Sequence, residues 1–92
     1  MRIIGEFDIA EIKITVFKMN EKISLKFEKD LLEQTYKFRD GSGLHNLDDA
    51  RKFCNDSCML SIRSIFKSMA DNRLNQLINI LENGQNEFDT II

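Results

Sequence analysis

The chain has no proline and no tryptophan, one histidine, two cysteines and four glycines in 92 residues. Without proline nothing rigid marks a helix boundary or an edge strand, so element limits must be read from periodicity and capping. His45, Cys54 and Cys58 match none of the usual zinc spacings. The two cysteines stand four apart in a helical pattern, where side chains share a face but a disulfide is strained; they read as small apolar core residues in a reducing compartment. No apolar run approaches the roughly 18 residues needed to span a bilayer, and the early acids Glu6, Asp8 and Glu11 are unlike a signal peptide. The expectation is a cytoplasmic protein without membrane contact.

What is present is ordinary for a folded soluble chain: 42% hydrophobic and 30% charged residues, far from the composition of disorder. A net charge of -2 names no partner. A chain of this length makes one domain and buries only roughly 60 to 65% of the surface its unfolded form exposes, so a second copy would enlarge a marginal core.

Two periodicities divide the chain. Up to about Arg39 apolar and polar residues alternate; from about Leu47 apolar residues recur at three and four. Ile3 to Phe7 is a short beta-prone segment, with Asp8 to Glu11 expected as the turn after it. Ile12, Ile14 and Val16 then point one way and Lys13, Thr15 and Phe17 the other, as in a half-buried strand. Asn20 and Glu21 make a turn, and Ile23, Leu25 and Phe27 alternate with Lys22, Ser24, Lys26 and Glu28 on the way back. After a turn at Lys29 and Asp30, Leu32, Gln34, Tyr36 and Phe38 alternate with Glu33, Thr35, Lys37 and Arg39. Asp40-Gly41-Ser42-Gly43 supplies the backbone freedom for a change of direction.

Asn46 caps the helical half, with Asp48 and Asp49 at the positive end of its dipole. As one helix, Leu47, Ala50, Cys54, Cys58, Ser61, Ile62, Ile65 and Met69 share an arc of about 120°, with Phe53 and Leu60 off one edge and Met59 and Phe66 off the other. Ala70-Asp71-Asn72 is a candidate interruption, Leu74, Leu77, Ile78 and Leu81 renew the stripe, and Asn83-Gly84 is a stop signal before a loosely held tail, residues 85 to 92. The expected architecture is a single α+β domain. A three- to four-stranded antiparallel meander (about residues 2 to 39) carries one long helix or two helices (about 47 to 83) on one face. No internal repeat, linker or low-complexity stretch is visible.

No constellation points to catalysis, and the expectation is a protein that is not an enzyme and has no cofactor or metal. Asp48 with Asp49 is accounted for by the helix dipole, and Glu28 with Glu33 by the polar side of a sheet. A His45-cysteine pair fails because the thiols lie on an apolar arc. Gly41-Ser42-Gly43 lacks the lysine and spacing of a phosphate loop. From Lys13 to Arg39, however, seven basic residues (Lys13, Lys18, Lys22, Lys26, Lys29, Lys37, Arg39) meet four acids (Glu21, Glu28, Asp30, Glu33). Alternation puts Lys13, Phe17, Lys26, Lys37 and Arg39 on the face away from the helices. Such a face could track a single-stranded DNA or RNA backbone while a base stacks on Phe17; lysines there also serve simply to solvate an open sheet.

The segment Leu31-Leu32-Glu33-Gln34-Thr35-Tyr36-Lys37, with the acidic helix start and helical second half, resembles a family of small uncharacterised bacterial proteins that share an "LLEQTYK" strand and have no assigned activity. In its order of strands then helix, the chain is also similar at fold level to the subunits of Whirly and PUR-type single-stranded nucleic-acid-binding proteins, which work as dimers. The surplus of helix apolar residues leads to one expectation, a homodimeric interaction domain of unknown protein partner. Its interface would draw on Phe53, Met59, Leu60, Phe66, Leu74, Leu77, Ile78 and Leu81. Single-stranded nucleic-acid binding by the basic sheet face is the alternative.

Overall fold

The computed structural model describes residues 1–39 and 41–91, with side chains described as far as Asn83. Four strands, β1 (Arg2–Ile9), β2 (Ile12–Met19), β3 (Lys22–Lys29) and β4 (Leu32–Phe38), form one antiparallel sheet in chain order, followed by α1 (Leu47–Phe53) and α2 (Asp56–Ile91). Every hairpin closes on two residues, Ala10-Glu11, Asn20-Glu21 and Asp30-Leu31, and all six have positive φ between 49° and 71°. Positive φ at both central positions matches the twist of the flanking strands, so each strand folds straight back on the last.

Two expected turns move as a result. β1 continues through Ile9 because Phe7 pairs with Ile14 and Ile9 with Ile12, which makes Asp8 a strand residue. The third turn falls on Asp30-Leu31, since pairing of Lys29 with Leu32 is what keeps Phe27 and Gln34 opposite one another. Beyond β4, Ser42 donates its N–H to the Arg39 carbonyl, and Gly41 and Gly43 take φ of 83° and 96°. Asp40, the first residue of the expected bend, lies outside the described residues.

The central strands supply the core. Ile12, Ile14, Val16, Ile23, Leu25 and Phe27 are all but fully buried, and Ala50, Cys54, Met59, Ile62 and Phe66 cover them from the helices. Each of the buried Val, Leu, Ile, Phe and Met side chains contributes roughly 1.5 to 3 kcal/mol on burial. One polar group lies among them: the Gln34 amide donates to the Ile62 carbonyl at 3.0 Å and its oxygen accepts from the Tyr36 hydroxyl at 3.3 Å. A buried amide without partners would cost more than its bond returns, so this pair fixes where α2 sits on β4. Phe27, Tyr36, Phe53 and Phe38 continue the contact as a chain of rings with centroids 5.2 to 5.9 Å apart.

The helical half divides earlier than expected. Asn46 caps α1 by accepting from the Asp49 N–H at 2.9 Å, and the Asp49 carboxylate accepts in turn from the His45 N–H. The Cys54 N–H then closes α1 on Ala50 and Arg51, and Asn55 starts α2 by accepting from the Cys58 N–H through its side chain. No interruption occurs at Ala70-Asp71-Asn72, and the backbone stays helical through Gly84 to Ile91. A lone glycine costs a helix only about 1 kcal/mol, too little to stop it without a proline behind. The side chains of the expected loose tail, and Ile92, lie outside the described residues.

Gly5 sits beside an irregularity in β1–β2 pairing, and a Cβ there would come within 2.5 Å of the Leu47 side chain. Gly5→Ala is expected to destabilise the domain by about 1 to 3 kcal/mol in urea unfolding. The loss in Gly5→Ala with Leu47→Ala should be smaller than the sum of the two single losses, because the clash is gone.

Candidate functional site

Two surfaces stand out, at opposite ends of the strands. The first is α2 itself. At about 1.5 Å per residue its 36 residues run roughly 54 Å, nearly the whole 57 Å length of the molecule. It crosses the strands from Ile9, beside Cys54 and Met59, past Gln34 to the β3–β4 turn, where Arg73 donates to the Asp30 carbonyl at 3.0 Å. From Asp71 to Asn83 every residue is exposed. Leu74, Leu77, Ile78, Ile80 and Leu81 are left 42 to 69% exposed on this overhang, and Leu31, in the adjoining turn, is 100% exposed.

The residues expected at an interface therefore separate. Met59 and Phe66 are 6% and 4% exposed in the core of this one chain, and Phe53 is half-buried against Tyr36 and Phe38. The break at Cys54-Asn55 resets the helical phase, so Met59, Ile62, Phe66 and Met69 become the inward face and Ile65 turns partly outward. Leu60, Leu74, Leu77, Ile78 and Leu81 remain on the surface, joined by Ile80, which a strict i, i+3, i+4, i+7 reading passes over.

The second surface is the outer face of the sheet, which the register resolves into rows. Asp8, Lys13, Glu28 and Glu33 form one, and Glu6, Thr15, Lys26 and Thr35 the next. Ile3, Phe17, Ser24 and Lys37 come after them, and then Met19 with Lys22. The face is thus acidic toward the β1–β2 and β3–β4 turns and cationic and apolar toward the β2–β3 turn. Lys13 lies between Asp8 and Glu28. Lys26 pairs with Glu28 at 3.4 Å and stands 5.3 Å from the centre of the Phe17 ring, and Thr15 beneath this layer is only 3% exposed. Of the five residues expected on a basic face, Phe17, Lys37 and Arg39 come together around one recess, joined by Lys22, whereas Lys13 and Lys26 stand in the acid-bearing rows.

Among the described residues no group of three or more His, Cys, Asp or Glu could hold a metal ion, and no helix is long and apolar enough to cross a membrane. Glu28 and Glu33 do face each other across β3 and β4, on the outer face. His45 is exposed, and both cysteines are free thiols. Burial, with Cys58 adding to it, pushes the Cys54 thiol from 9.0 up to about 11, and burial raises Cys58 as well. Compared with known protein families, curated proteins and solved structures, the chain matches none.

A thiol held protonated by burial stabilises the fold below its ordinary pKa and loses that contribution as pH rises toward the folded value. The wild-type chain should therefore lose stability relative to Cys54→Ala as pH rises from 9.0 to about 11, read as converging unfolding midpoints in urea. A constant difference across that window would show that burial does not raise the Cys54 pKa in the folded state.

Proposed function

We propose that this chain is a non-enzymatic, homodimeric interaction domain whose dimer contact is the part of α2 that extends beyond its own sheet. The observation that carries this reading is the direction of the overhanging stripe. Leu77 and Ile80 each stand eighteen positions, or about five turns, after Met59 and Ile62, which are buried on the sheet. The inward face of the helix thus continues past the point where the sheet ends. From Leu74 to Leu81 there is no charged residue, the depletion that marks the centre of an interface and not a solvated helix.

A second copy is the occupant that the residue pattern suits. Antiparallel pairing about a two-fold between Leu77 and Ile78 sets Leu74 against Leu81 and Arg73 against Glu82 of the other copy, so both the apolar stripe and the charges at its ends are self-complementary. Leu31 supports the same reading. It is an apolar side chain wholly in water at φ 64°, beside the contact between Arg73 and Asp30. A leucine held left-handed costs roughly 1 to 2 kcal/mol with no contact inside its own chain to offset it, whereas a second copy on the overhang would cover it.

A second reading, single-stranded DNA or RNA on the outer face, is favoured by the grouping of Phe17, Lys22, Lys37 and Arg39. The row of Asp8, Glu28 and Glu33 opposes a backbone running the full length of the strands, so contact would be confined to the β2–β3 end. On this reading Lys37→Glu weakens binding to a homopolymer at low salt far more than Lys13→Glu. Equal effects, or no binding, would remove it.

For the dimer, light scattering should give twice 10.8 kDa for the wild type at micromolar concentration and a monomer for Leu77→Asp with Ile78→Asp, with strand and helix circular dichroism retained. Leu31→Gly should stabilise the unassociated chain by about 1 kcal/mol yet weaken self-association. A wild type that stays at 10.8 kDa up to high concentration would contradict the proposal.

A further inference from the structure

At the β2–β3 end the outer face sinks into a recess of about 380 Å³, within the range of small-ligand sites. It exists because Ser24, a small residue, lies between Phe17 and Lys37 in one cross-strand row, with Met19 and Lys22 in the next. Met1 and Phe38 contribute to the walls. The lining is of two kinds, apolar and sulfur-bearing or aromatic on one hand, cationic through Lys22, Lys37 and Arg39 on the other. Among the described residues no acid lines it.

This arrangement costs stability unless something anionic occupies it. Beyond the last β3–β4 pair, Ile23 with Phe38, Lys22 and Arg39 stand with Lys37 around the same recess. Like charges opposite one another destabilise a sheet. Glu21, in the β2–β3 turn, lies with Arg2 and Lys18 outside the recess, while Asp8, Glu28 and Glu33 stand at the far end of strands about 25 Å long. Phe17 is meanwhile steadied from its other side by Lys26, which is itself held by Glu28. A fixed, half-buried ring beside three cations is a surface for a flat body bearing a negative group.

We propose that this recess binds a small ligand with a phosphate-like anionic group on a flat apolar body, of which phenyl phosphate is the simplest example. Arg39 presents the planar fork that grips two oxygens of the group, and Lys22 and Lys37 neutralise its remaining charge. The Ser24 hydroxyl donates from the floor, and the body lies against Phe17 and Met19. The site is at the opposite end of the strands from the overhang of α2, so it stands or falls independently of dimer formation.

The test is a titration of the full chain with phenyl phosphate at low salt, followed by amide NMR shifts. Saturable shifts confined to the surroundings of Phe17, Ser24, Lys22 and Lys37 are expected, with inorganic phosphate binding about tenfold more weakly. Arg39→Ala should weaken binding by about tenfold. Ser24→Phe, which fills the recess without changing a charge, should abolish it. Lys22→Glu with Arg39→Glu, both exposed positions, should also abolish it with the fold intact, which guards against a misfolded Ser24 variant. No saturable shifts, undiminished binding by the double variant, or equal affinity for inorganic phosphate would overturn the proposal. So would a single-stranded oligonucleotide that binds at the same residues and is not displaced by phenyl phosphate.

Discussion

A four-stranded sheet is about three strand spacings, or roughly 14 Å, wide, and it cannot cover one face of a helix about 54 Å long. This mismatch governs how the other parts of the molecule are arranged. The opening turns of α2 are held by Ile62, Phe66 and the Gln34 amide, and Arg73 marks the point of departure at the β3–β4 turn. Past Arg73 the inward side of the helix is still leucine and isoleucine but has no sheet beneath it. Isolated helices of about a dozen residues are marginal in water. From Leu74 to Leu81 this one has no charged residue to form the exposed ion pairs that sustain a solitary helix. The proposed second copy would complete such an element.

The sheet's inner face was readable from alternation alone, because within each strand from β2 to β4 the period of two assigns residues to a side and the apolar core follows it, Thr15 being buried on the outer side beneath Lys26. Alternation does not say where along a strand a residue lies, which takes the register, and the register is set by turn length. That is why the cations from Lys13 to Arg39 read as one basic face, whereas in space Lys13 and Lys26 stand in the acid-bearing rows and Lys22 joins Lys37 and Arg39. Two-residue turns at Ala10-Glu11 and Asp30-Leu31 carry little of the usual turn chemistry, since neither contains glycine or asparagine. The even ten-residue spacing of the three turns was the available signal.

The helical half was legible in its start and not in its phase. Asn46 announced α1, but Asn55 announces α2 just as well, and reading through it as one helix put Met59 and Phe66 at the margins of an apolar arc. They are core, and Ile65 is half outside. A cap within an apolar pattern outweighs the continuity of the pattern, because the cap satisfies backbone donors that a continuous helix would have used otherwise. Conversely, Asn83-Gly84 carries a stop signal without any tertiary contact to enforce it, and the helix runs on.

Whether a second copy buries the inward face of α2 beyond Arg73 is decided by amide hydrogen exchange over residues 74 to 83 as a function of protein concentration. Protection there should rise with concentration while the amides of β2 and β3 stay protected throughout. Rapid exchange in that segment at every concentration, or protection that persists undiminished on dilution, would refute burial by a second copy.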